Sequence, residues 1–227
     1  MLCTERGASG CSSRLVEIPA LPPNSAPLTS HNNSFDVILN LMQALRRTQF
    51  GNPILRQQAR RLKPSEIIET DLQQLIAAMR HTLLQKKLGI GLAAPQVGHS
   101  VAVVVIAIRP LAHRQQVEPF DLVLINPEIT QTFGRRIQLY EGCISGGPGK
   151  AALFAKVPRY QKIQVKFWDK QGRLRHEIYE GLQAHVIQHE TDHLNGILFV
   201  DRVVDSTTYL TYAEYMKRAR KILAKQS

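Results

Sequence analysis

Apolar residues recur at Ile68, Leu72, Leu75, Ile76, Met79, Leu83 and Leu84, spaced mostly by three or four. That period predicts a helix over residues 71–86 with one buried stripe. Val101 to Ile108 is a continuous, largely β-branched apolar run, which predicts a buried strand. Leu122–Ile125 predicts a second strand, ended by Asn126-Pro127. Arg136–Tyr140 and Lys162–Trp168 alternate with period two, as strands with one wet face do. Asp169–Gly172 turns the chain, and Leu174–Tyr179 returns as a hairpin partner. A helix is predicted over Gly181–Asn195, stopped by Asn195-Gly196, and a last helix over Thr207–Lys225. This order predicts an α+β fold, with antiparallel or mixed sheets packed around the 181–195 helix and a C-terminal helix.

Residues 1–41 break the pattern. They are rich in Ser, Asn, Gly and Pro, and Pro19, Pro22, Pro23 and Pro27 forbid a long helix. We read them as a poorly structured extension and residues 42–227 as a single domain. The segment lacks the charged start and apolar core of a secretory signal. Glu5 and Glu17 argue against a transit peptide, although organellar targeting stays open. Translation from Met42 would remove the segment altogether. The formal charge of +11, from 29 Lys and Arg against 18 Asp and Glu, suits either a polyanionic partner such as RNA or an ordinary basic enzyme. Cys3, Cys11 and Cys143 do not form a disulfide framework, so a reducing compartment fits. No apolar run approaches the ~20 residues of a membrane helix.

Candidate chemistry lies in the 181–195 helix, which contains His189-Glu190-x-x-His193. Four helical residues turn the chain by about 400°, so both histidines face one way and can grip one metal ion. Glu190 then stands beside the first ligand, where it can move a proton. The plainer reading is two histidines satisfied in the core. A catalytic metal site needs a third ligand. A histidine six positions on is ruled out, because Phe199 stands there. Glu214, on the last helix, would complete a two-His, one-Glu protease site. Cys143, beside Gly142 and ahead of a glycine-rich loop, would offer a thiolate to zinc or ferrous iron. Gly89 to Gln96 holds two glycines and a proline among small apolar residues. Backbone there must approach something closely, and Gln96 is its one strong side-chain donor.

Three segments, Gly89-Ile90-Gly91-Leu92-Ala93-Ala94-Pro95-Gln96, Glu141-Gly142-Cys143-Ile144-Ser145 and Gln188-His189-Glu190-Thr191-Asp192-His193, resemble in order the three motifs of the peptide deformylases. Asn52-Pro53-Ile54-Leu55-Arg56 is similar to that family's opening. The resemblance covers about residues 50–205. It implies a metal-dependent hydrolase that removes the formyl group from formyl-methionine at the start of nascent polypeptides and releases formate. It implies Cys143, His189 and His193 as metal ligands, with Fe2+ expected and Zn2+, Ni2+ or Co2+ able to serve. Water activated by the metal would attack the formyl carbon, with Glu190 as general base and then acid. The Gln96 amide and the Ile144 N–H would meet the developing oxyanion. Gly91 would present backbone to substrate, and Ile90, Leu182 and Val186 would line the methionine pocket. Glu141 would orient a ligand from behind. The connection Gly146–Lys156 is longer than the family's usual one, which leaves Lys150 or Lys156 to replace a basic substrate-contacting residue. The implied partners are formylated nascent peptides and, through the basic end of the last helix, the ribosome. Neither a membrane nor DNA is expected, and the implied location is the bacterial cytoplasm. The remaining alternatives are the Glu214 protease and a non-catalytic RNA- or ribosome-binding relative.

Overall fold

The structure, a computed structural model, describes residues 44–86, 89–110, 117–147 and 151–223. The expected extension over residues 1–41 lies outside them. Two short elements, a 3₁₀ turn at Pro53–Arg56 and helix α1 (Pro64–Ile67), lead into α2 (Thr70–Leu84). The predicted stripe holds in α2, where Leu72, Ile76, Met79 and Leu83 are buried. Its two ends do not hold: Ile68 lies outside the helix, and both Ile68 and Leu84 are exposed.

Five strands form one antiparallel sheet in chain order: β1 (Gly91–Ala93), β2 (Val103–Ile108), β3 (Phe120–Gly142), β4 (Leu153–Trp168) and β5 (Leu174–Glu180). A two-residue strand, β6 (Leu210–Thr211), also pairs with β4. All named strands pair antiparallel, so the expected alternative of a mixed sheet falls away. Side chains alternate across a strand, and β2 shows why its sequence is apolar throughout. Val103, Val105 and Ala107 join the cluster that buries α2. Val104, Ile106 and Ile108 join the opposite cluster, which buries α3 (Gly181–Leu194).

Three points need correction. The two strands foreseen at Leu122–Ile125 and Arg136–Tyr140 are one 23-residue strand, β3. Its ladder to β4 absorbs the break by register shifts, the first between Ile125 and Glu128. There Asn126 adopts φ 51°, and its side-chain amide accepts from Leu62 N at 2.8 Å and donates to Leu62 O at 2.7 Å. A distant backbone therefore satisfies the kink that Asn126-Pro127 imposes. Second, Gly91–Ala93, a stretch to which the sequence assigned no element, is a strand, paired through Gly91↔Ile106. Third, the last helix, α4, spans Tyr212–Leu223, while Ser206–Thr208 forms a 3₁₀ turn ahead of β6. Lys225 lies outside the described residues. In β4, Pro158 sits between the stretches paired with β6 and β5, where only β3 ladders and a missing N–H is tolerated.

The α3 helix passes through the interior, with every residue from Ala184 to Leu194 buried. Buried polar side chains are costly unless answered. Gln188 brackets Tyr160, accepting from its N at 3.0 Å and donating to its O at 2.8 Å. Asp192 meets Arg159 and Arg202.

Candidate active site

Cys143 follows β3 directly, and α3 carries His189 and His193 up to it. Cys143 Sγ lies 3.2 Å from His193 Nε2. One ligand atom from each of Cys143, His189 and His193 falls within 4.8 Å of the others, and all three residues are buried. The two rings stand at 80° with centroids 5.0 Å apart. A soft thiolate with two imidazoles is a donor set for iron, zinc, cobalt or nickel and not for magnesium or calcium. These residues fit the metal that the sequence implied. Glu214 is not among them: it is exposed in the first turn of α4, 3.7 Å from Lys217, so the protease alternative lacks its third ligand.

The donors are oriented from behind. Glu141 Oε2 lies 2.7 Å from His189 Nδ1, which leaves Nε2 for the site. Arg159 donates to both oxygens of Glu141, at 2.7 and 3.1 Å, and also to Asp192. Asp192 in turn takes Arg202 Nη2 at 2.8 Å. Burial alone would raise the Glu141 carboxyl, but the charge of His189 and the donors around it hold it well below the usual range. His185 Nε2 comes within 2.7 Å of Glu141 Oε1, off the line of a hydrogen bond. Burial would likewise raise the Cys143 thiol. The His193 and His189 imidazoles outweigh it and pull the thiol well below its ordinary value, toward the thiolate.

Glu190 behaves oppositely. Burial pushes its carboxyl up to about 7, and His189 and His193 offset this only in part. Its Oε2 is buried without a hydrogen-bond partner. The side chain crosses Gly91, where an added Cβ would lie 2.8 Å from Glu190 Cγ. That contact is a structural reason for glycine at this position. Gln96 is fixed through Oε1, which accepts from Ala93 N at 2.7 Å, so that Nε2 points to Cys143 Sγ at 3.2 Å.

A cavity of about 550 Å³ opens beside these groups. Gly91, Gln96, Cys143, Ile144, His189 and Glu190 line it, as do Glu141, Ile90, Leu182 and Val186. His193 is buried off its wall. Several residues of the site escaped the sequence reading. Arg47 donates to the Ile144 carbonyl at 2.9 Å, and Thr48 N donates to the Gln96 carbonyl at 2.8 Å, so residues 47–48 brace both expected oxyanion donors. Arg159 lies between the Gly146–Lys156 connection and the predicted Lys162–Trp168 strand, in a stretch to which the sequence assigned no role. An arginine at an inward position of an alternating strand was its signal. Lys156 lies with Nζ 5.7 Å over the Tyr140 ring and off the cavity wall, and Lys150 lies outside the described residues.

A family model described as polypeptide deformylase matches residues 45–209. The chain belongs to that family. It is 37% identical over 176 residues to peptide deformylase 2 of Nostoc sp., covering 76% of this chain and 93% of that one. It is 41% identical to the peptide deformylase of Thermomicrobium roseum, covering 70% of this chain and 85% of the other. Among solved structures, a Met-Ala-Ser-bound class I type b peptide deformylase from Acinetobacter baumannii matches with TM-score 0.66 and 34% identity, over 71% of this chain and 99% of that one. A Synechococcus elongatus peptide deformylase in complex with actinonin matches with TM-score 0.62 and 41% identity, over 72% and 81%. The chain is a metal-dependent hydrolase that deformylates nascent peptides. No helix among the described residues is long and apolar enough to cross a membrane.

Proposed function

We propose that Cys143, His189 and His193 hold one divalent ion, Fe2+ in the cell, and that Glu190 moves the protons of formyl hydrolysis. The convergence of three soft donors with Glu190 and the Gln96 amide on one cavity carries this reading. The ion, when bound, supplies Lewis acidity that ionises water near neutral pH and polarises a carbonyl. Zn2+, Ni2+ or Co2+ suits the same donors. A carboxyl held near 7 suits Glu190 both to take a proton from the attacking water and to return one to the departing amine. Gln96 Nε2, locked by Ala93, and the Ile144 N–H donate to the formyl oxygen as charge builds on it. Each such donor is worth about 10²- to 10³-fold in rate. Gly91 offers backbone to the peptide, and Ile90, Leu182 and Val186 form the apolar wall for the methionine side chain. Glu141 holds His189.

The catalytic domain in this reading is residues 42–227. Its place is wherever formylated chains emerge, the bacterial cytoplasm or an organelle. Exposed Lys217, Arg218, Arg220 and Lys221 on α4 support contact with ribosomal RNA. Pelleting with ribosomes at low salt, with and without residues 207–227, tests that contact, and equal retention sinks it. The central test is metal analysis of anaerobically purified protein beside formate release from formyl-Met-Ala-Ser. One equivalent of iron and metal-dependent formate are expected. Activity that persists in Cys143→Ala but not in Glu214→Ala would overturn the assignment.

A further inference from the structure

The cavity is larger than a formyl-methionyl unit requires. Ten heavy atoms fill on the order of 250 Å³, counting each at somewhat less than the ~30 Å³ of a liquid water. The space measures about 550 Å³. Part of its wall is aromatic, and two of the rings come from an element the deformylation chemistry does not use. Tyr212 and Tyr215, three residues apart on one face of α4, line it together with Phe154, Leu139 and Tyr140. The Phe154 and Tyr215 rings stack in parallel, 2° apart in plane, with centroids 4.1 Å apart. Tyr140 meets Tyr215 edge-on at 6.0 Å, and Arg218 of α4 donates to the Tyr140 hydroxyl at 2.8 Å.

The stack is anchored at the metal site. Phe154 lies so close over Gly142 that an added Cβ would come within 2.7 Å of its ring. Gly142 directly precedes Cys143. The sequence Gly142–Phe154–Tyr215 therefore seats α4 one ring beyond the Cys143 loop, and its tyrosines face the same space as Gln96 and Glu190. Aromatic walls of this kind favour apolar and aromatic groups by burial and ring contact.

We infer that Tyr212 and Tyr215 form a subsite for an apolar or aromatic side chain just downstream of the formyl-methionine, so that α4 selects among nascent chains. This rests on the deformylase reading of the cavity. Selection is by differential burial, and one added apolar contact supplies discrimination of about tenfold.

The test compares formate release from formyl-Met-Phe-Ser, formyl-Met-Ala-Phe and formyl-Met-Ala-Ser by the metal-loaded full chain. The wild type is expected to favour one of the phenylalanine peptides about tenfold in kcat/KM, through KM. Tyr212→Ala collapses that ratio, and Tyr212→Leu, which keeps apolar bulk, retains most of it. Equal kcat/KM for the three peptides in the wild type overturns the inference, and so does an unchanged ratio in Tyr212→Ala. If Tyr212→Ala does not fold, the wild-type comparison and Tyr212→Leu decide. Equilibrium binding of the products Met-Phe-Ser and Met-Ala-Ser reads the subsite independently of turnover. Absence of formate from every peptide would sink the deformylase reading, while tighter binding of Met-Phe-Ser would still support the subsite.

Discussion

Glu141 Oε2 stands 2.7 Å from His189 Nδ1, and the same carboxylate is clasped by Arg159. The pair fixes which imidazole nitrogen faces Cys143 and His193. Loss of such an orienting carboxylate typically lowers metal affinity about 10- to 100-fold. Glu141→Gln is expected to show that loss in a chelator competition assay. Wild-type affinity would mean that packing alone orients His189.

Arg159 is buried between Glu141 and Asp192. Breaking a buried pair by removing one partner costs about 3–5 kcal/mol, because the remaining charge stays out of water. Arg159→Met is expected to lose this much in urea unfolding. A cost below about 1 kcal/mol would mean that Arg202 and His185 compensate the stranded carboxylates.

Gly91→Ala places a methyl group against the Glu190 side chain. The carboxylate must then move, and a misplacement of about 1 Å costs on the order of 10²-fold in rate. Formate release should fall by that order while the circular dichroism spectrum stays native. Undiminished activity would show that Glu190 acts from another position.

Asp201 links to Arg56 in a two-pronged pair at the surface, one prong at 3.2 Å. The Arg56 hydrogen bond, outweighing burial, holds the carboxyl below its ordinary value. A folded value below the unfolded one gives stability that is present above the unfolded pKa and lost as pH falls through the folded one. The difference in urea midpoint between wild type and Asp201→Asn should therefore be present near pH 7 and shrink on acidification below about pH 4. A difference that grows at low pH would contradict the sign.

Much of the site was legible in the residues because it is written locally. His189 and His193 share a face through helical spacing alone, and the continuous run of β2 announces burial on both sides. The three separated motifs supplied Cys143 and Gln96. What escaped depends on partners distant in the chain. Asn126-Pro127 reads as a strand end until Leu62, 64 positions away, satisfies the kinked amide. Gly91–Ala93 becomes a strand only beside Ile106. Arg159 looks like any strand arginine until Glu141 and Asp192 close around it, 18 and 33 residues away.

The sequence by itself named the side chains proposed to carry the chemistry, since spacing on a helix and a few motif residues require no knowledge of the rest. Only the tertiary structure decided how those side chains are held and what shares their cavity. A carboxylate behind His189, a glycine beneath Glu190 and two tyrosines from α4 arrive by long-range packing, whose partners no local period can name.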